Sequence, residues 1–107
     1  MSRYEDFQAR VEAEARAEGP EAVAELKAFR DYYRIARELA RRRRELGWSQ
    51  TRLSSVTGVQ QSEISRIEQG RANPTFFTLS RLTSALGMTL CLERSDEEAQ
   101  TPESARR

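Results

Sequence analysis

Apolar side chains recur along most of this chain at the three- and four-residue spacing of an amphipathic helix. Over residues 3–18 the repeat is Tyr4, Phe7, Val11 and Ala15, set among glutamate, arginine and alanine. Gly19-Pro20 ends that helix. Proline suits the first position of the next helix, where its missing N–H is not needed. From Glu21 to Leu46 there is no breaker. Val23, Leu26, Phe29, Tyr33, Ala36 and Leu39 or Ala40 form a stripe that Leu46 closes, with Gly47 as a C-cap. The pattern fits one helix of about 26 residues or two with a bend near Arg30–Tyr32.

After Gly47 the pattern shortens. Ser49 predicts the N-cap of a helix from Gln50 to Thr57, with Leu53 and Val56 inward. Gly58 supplies a turn with positive φ. Gln60 stands at the N-cap of a helix running to about Gln69, with Ile64 and Ile67 inward. Gly70 ends it, Asn73-Pro74 is a loop, and Thr75 caps a helix from Phe76 to Leu86, ended by Gly87. Met88-Thr89-Leu90-Cys91-Leu92-Glu93 alternates weakly and predicts one short strand, which cannot stand alone. Residues 95–107 hold no apolar side chain larger than alanine, the composition of a disordered tail. The expected fold is all-α: a helical bundle at 32–87, an N-terminal helical extension at 1–31, a short C-terminal β-strand at 88–94 and the tail.

Composition narrows the chemistry. The chain has 107 residues, no histidine and one cysteine. Histidine-dependent catalysis, histidine metal sites, an intramolecular disulfide and a cysteine metal cluster are thereby excluded. The carboxylates are scattered and no glycine-rich phosphate loop is present, so neither an enzyme nor a cofactor is expected. No apolar run reaches the length of a membrane span and the N-terminus has no apolar signal segment, so a cytoplasmic protein without a membrane partner is expected.

Charge is distributed unevenly. Residues 1–29 carry four basic and seven acidic side chains, 30–94 carry twelve and six, and 95–107 carry two and four. A basic middle between acidic ends suits a polyanionic partner. Its densest part is Arg41-Arg42-Arg43-Arg44. Arg41, Arg42 and Arg44 are open to two readings, a solvated helix face or phosphate contacts.

Two short helices joined by a tight glycine turn describe a helix-turn-helix. Val59 plugs the gap between them, and Ile64 and Ile67 seat the second helix. Gln61, Ser62, Ser65 and Arg66 are left facing away. Glutamine pairs bidentately with adenine and arginine with guanine, so these residues are candidates for base contacts in a major groove.

Residues 39–87 resemble the Xre/Cro family of helix-turn-helix proteins. The resemblance rests on Ser49-Gln50, Gly58, Ile64-Ser65-Arg66-Ile67-Glu68, Gly70 and Asn73-Pro74. It implies a lambda-repressor-like helical bundle that binds double-stranded DNA. By position it implies phosphate contacts from Gln50, through its side chain or backbone amide, and from Gln60, Arg71 and Asn73, with Arg42 added from the arginine run. Arg43 and Glu68 match an internal salt bridge of phage repressors. Ser54 departs from the family's usual alanine, a serine that can bond a carbonyl one turn back. Trp48 reads as a core plug.

The flanks resemble antitoxins of type II toxin–antitoxin pairs. The C-terminal strand is similar to that of HipB-like antitoxins, where strands of two chains pair. This implies a homodimer through Met88, Leu90 and Leu92, with Cys91 a small residue in that interface, on a palindromic operator. The N-terminal portion, with Phe29-Arg30-Asp31-Tyr32-Tyr33-Arg34 leading into the domain, is similar to HigA-type antitoxins, which implies a toxin partner of the HigB-like ribonuclease kind; HipB partners are kinases. The acidic N-terminal helix either lies on a basic toxin or only extends the core or the dimer. Two other readings stand beside this one: a prophage-type Xre regulator without a toxin, and an interaction module that has lost DNA binding.

Overall fold

Polar caps set where the helices start. The Ser2 hydroxyl accepts from the Glu5 amide while the Glu5 carboxylate reaches back to the Ser2 amide, and this capping box opens α1 (Arg3–Glu18). Pro20 opens α2 (Pro20–Glu45) directly after Gly19, which ends α1. Ser49 accepts from the Arg52 amide at 3.0 Å at the start of α3 (Gln50–Thr57). Gln60 precedes α4 (Gln61–Glu68) in extended conformation, and Thr75 caps α5 (Phe76–Ala85) by accepting from the Thr78 amide. Gly58, at φ 78°, makes the left-handed turn between α3 and α4. The computed structural model describes residues 2–96 and Ala99.

Four helices and one turn share one core. Leu39 from α2, Leu53 from α3, Val59 from the turn, Ile64 and Ile67 from α4, and Leu82 and Leu86 from α5 and its end form a single buried cluster. Ile35, Trp48, Leu79 and Met88 pack against it. Each such side chain contributes roughly 1.5–3 kcal/mol by leaving water. Short helices of 8 and 10 residues have little helical stability of their own. Their shape depends on this shared burial.

α2 is one unbroken helix of 26 residues, with no bend at Arg30–Tyr32. It runs across the expected boundary at 31/32, so the extension and the bundle share a helix. Its C-terminal half buries Ala36, Leu39 and Ala40 in the bundle. Val23 and Phe29 stay exposed on its N-terminal half, and Tyr33 is exposed at its middle. α1 packs along that half. Arg30 fastens the pair by donating to Glu12 at 2.9 Å and to Gln8 at 2.6 Å. Tyr4, Phe7, Phe29 and Tyr33 remain exposed along an open groove between α1 and α2.

Three expectations need correction. Val56 is not inward: α3 turns Leu53 to the core, and Val56, 52% exposed, lies beside Phe77 on a shallow groove between α3 and α5. Residues 88–94 form no strand, and no strand occurs among the described residues. The physical reason is that the described residues offer this segment no ladder partner. Met88 instead closes the end of α5, its amide donating to the Thr83 carbonyl at 2.8 Å while its side chain packs on the core. The Ser54 hydroxyl is not the group that bonds one turn back; Thr57 does so, donating to the Leu53 carbonyl at 2.7 Å. Of the expected tail, only Ser95, Asp96 and Ala99 lie within the described residues.

The α1–α2 clasp has a pH signature. The hydrogen bond from Arg30, then its charge, hold the Glu12 carboxyl below its ordinary value of 4.5. A carboxyl lowered by folding contributes its stability above that value and loses it as pH falls. Acidification from neutral pH through the carboxylate range is expected to reduce helical ellipticity before Trp48 fluorescence, which reports the bundle, changes. Coincident changes in the two signals would show that the clasp contributes nothing separate.

Candidate nucleic-acid interface

α4 is amphipathic, and its polar face is open. Ile64 and Ile67 are 1% and 0% exposed, while Gln61, Ser62 and Arg66 on the other side are exposed. α1 does not cover this face. Ser65 is half-buried and its hydroxyl accepts from the Gln69 amide group at 3.2 Å, so it is the least available of the four candidate readers. The side chains of Ser62 and Arg66 make no hydrogen bond or ion pair among the described residues, and their polar groups are free for a ligand.

A buried ion pair sets the position of α4. Arg43 donates through Nε to Glu68 Oε2 at 2.8 Å and through a terminal nitrogen to Oε1 at 2.9 Å, a bidentate fork. Its other terminal nitrogen donates to the Trp48 carbonyl at 2.8 Å. The hydrogen bond to Glu68 holds the Arg43 guanidinium above its ordinary value, against the opposing effect of burial. No buried side-chain nitrogen or oxygen among the described residues lacks a partner, so the pair is fully satisfied.

The network continues outward. Gln50 donates to Glu68 Oε1 at 3.0 Å, and its own carbonyl accepts from Gln61 Nε2 at 2.8 Å. The series Arg43–Glu68–Gln50–Gln61 therefore runs from the buried side of α2 to the solvent face of α4. Gln61 is oriented with its carboxamide oxygen unbound by this series. The Gln50 side chain is occupied, so of its donors the backbone amide is the one left for a ligand.

The remaining candidates sit around the same face. Gln60 is exposed and its side chain makes no capping bond, so the first amides of α4 are uncovered. Arg71 and Asn73 are exposed in the loop after α4. The four consecutive arginines have four different surroundings. Arg41 pairs with Glu38 and Glu45 on the surface. Arg42 donates to the Leu86 carbonyl at 3.0 Å and so caps the end of α5. Arg43 is buried, and Arg44 is exposed beside the α1–α2 groove. Leu90 is half-buried, while Leu92 and Cys91 are exposed.

Three contributors were not visible in the sequence. Arg81 caps α3 by donating to the Thr57 carbonyl. Arg52 lies 4.9 Å above the Trp48 ring, a cation–π contact that covers the half-buried indole. Tyr32 bonds the turn after α4. Arg81 and Tyr32 reach across 24 and at least 35 residues, so no local spacing announces them, while Arg52 meets Trp48 across the N-cap of α3. No group of three potential metal ligands and no helix long and apolar enough to cross a membrane occurs among the described residues.

Glu68→Gln is expected to cost about 3–5 kcal/mol in urea denaturation, because Arg43 would then be a buried charge without its counterion. A loss below about 1 kcal/mol would place the pair among ordinary surface bridges.

The site's geometry agrees with what the chain resembles. Residues 39–92 match the family model described as helix-turn-helix. An HTH-type transcriptional regulator of Haemophilus influenzae is 43% identical over 58 residues, 54% of this chain and 59% of that protein. The regulator y4dJ of Sinorhizobium fredii is 40% identical over 55 residues, 51% of this chain and 71% of its own length. The regulator SutR of Escherichia coli is 29% identical over 68 residues, 64% of this chain and 38% of its own. The chain thus spans between about a third and three quarters of these relatives. No solved structure matches it with significance. With a family match over half its length, and α3, the Gly58 turn and α4 inside the matched residues, the chain belongs to the helix-turn-helix family.

Proposed function

We propose that this chain is a sequence-specific DNA-binding transcriptional repressor that acts as a homodimer. The observation that carries the reading is the polar face of α4, with Ile64 and Ile67 buried behind it and Gln61 braced through Gln50 from the Arg43–Glu68 pair. In this reading Gln61, Ser62 and Arg66, with Ser65 at the margin, meet base edges in the major groove. The amides at Gln50 and Gln60 and the side chains of Arg71 and Asn73 meet phosphates. Arg42 is left out of the phosphate set, since its guanidinium already caps α5. The relatives named as transcriptional regulators support this assignment.

The same reading extends to the flanks. The helix pair α1–α2 carries an exposed aromatic groove that the bundle does not need for its own core. Together with the resemblance to HigA-type antitoxins, this supports an antitoxin that neutralises a HigB-like ribonuclease and represses its own operon. A prophage-type regulator without a toxin is the second reading, favoured by the fact that the family match covers the bundle and not α1. The product of the neighbouring reading frame separates them: co-purification of that product with the full chain, lost on deleting residues 2–18, supports the antitoxin. Leu92, fully exposed, and Leu90 supply the apolar side chains for pairing of two C-terminal segments into a dimer strand.

Arg66→Ala is expected to lower affinity for a selected duplex by about 1–3 kcal/mol and to relax preference at one base position. Unchanged affinity and preference in a gel-shift titration would show that α4 is not the reader. Truncation after Met88, which keeps the residue seated on the core, is expected to give a monomer by light scattering and weaker DNA binding. A truncated chain that stays dimeric would place the interface elsewhere.

A further inference from the structure

We infer that Tyr32 and Tyr33, which precede the family-matched residues, are positioning residues for the DNA-facing turn after α4. The inference rests on the DNA-binding reading above, and adds that the middle of α2 is part of the reading head. The Tyr32 hydroxyl donates to the Ile67 carbonyl at 3.3 Å and accepts from the Ala72 amide at 3.3 Å. One hydroxyl thus bridges both sides of the turn that carries Arg71 and leads to Asn73. Two backbone bonds tighten the same turn: the Gly70 amide donates to the Ile67 carbonyl at 3.0 Å, and the Arg71 amide to the Arg66 carbonyl at 2.8 Å.

Tyr33 fixes the turn from beneath. Gly70 has φ 73°, and a Cβ built there would lie 3.0 Å from the Tyr33 ring. Any side chain at 70 would both strain the backbone and push that ring away. The ring itself stacks with Phe29, with centroids 6.2 Å apart, on the wall of the α1–α2 groove. Neither tyrosine reaches the face that meets DNA. Both act through Arg71 and Asn73, whose direction depends on where the turn is held. The turn's own sequence, Gly70-Arg71-Ala72-Asn73, has no side chain that packs it down except the half-buried Ala72. Its placement is set from outside the helix-turn-helix.

The test uses the full chain with Tyr32→Phe, which removes the hydroxyl and keeps the ring. Amide exchange of Ala72 is expected to rise by roughly tenfold, while Ile64 and Leu82 in the core stay unchanged. Affinity for a duplex that the unsubstituted chain selects from a random pool is expected to fall by about three- to tenfold, with the same salt slope, because no phosphate contact is removed. Tyr33→Phe keeps the ring and is expected to match the unsubstituted chain; Tyr33→Ala is expected to match Tyr32→Phe. Unchanged Ala72 exchange overturns the positioning role, and so does a uniform rise across α4 and α5, which would mean general loosening. Faster exchange with undiminished DNA affinity overturns the link to DNA. If the unsubstituted chain selects no duplex, the DNA-binding reading fails on its own, and the Ala72 exchange still decides whether the tyrosines hold the turn.

Discussion

The bidentate pair between Arg43 and Glu68 is the constraint on which the position of α4 and its polar face depends. It joins the last turns of α2 to the last residue of α4, with both side chains at most a tenth exposed. Taking two charges out of water costs several kcal/mol each, and only close geometry with every donor satisfied offsets that. Such a pair adds little net stability compared with apolar residues of the same volume. What it adds is position: a fork with two parallel bonds tolerates little sliding. A helix of 8 residues seated only by Ile64 and Ile67 could rock about them. The pair, with Gln50 bridging to Gln61, removes that freedom.

The architecture separates two tasks. Burial is concentrated where α2, α3, α4 and α5 converge, and this unit supports the polar face of α4. The α1–α2 arm is held by the Arg30 clasp and keeps much of its apolar surface open. Tyr32 and Tyr33 lie where the two parts meet. A body docked on the arm would therefore press on residues that also hold the turn carrying Arg71. That adjacency gives a short physical route between an event on the arm and the set of the loop carrying Arg71.

Local patterns carried most of the fold and less of the site. The capping residues Ser49 and Thr75, the glycine at 58 and the spacing of Ile64 and Ile67 act over a few residues, so helix positions and the buried side of α4 could be read directly. Val56 could not: on a helix of two turns, Leu53 alone seats α3, and which neighbour turns inward depends on where α5 lies. Residues 88–94 have strand-forming side chains, yet a strand exists only as a ladder and the other described residues offer no partner. Gln50 and Arg42 show the same limit. Their residue types suit phosphate contact, but the carboxylate and the carbonyl that engage them come from 18 and 44 residues away. Spacing along a chain cannot rank a tertiary partner against a ligand.

Chemical probing of guanine N7 on a bound duplex separates a helix that enters the major groove from one that does not, since that atom lies in the groove and is an acceptor for arginine. The account predicts protection of guanines in two half-sites about one helical turn apart, lost at one position of each half-site with Arg66→Ala. A chain that retains the duplex while leaving every N7 open to methylation contradicts it.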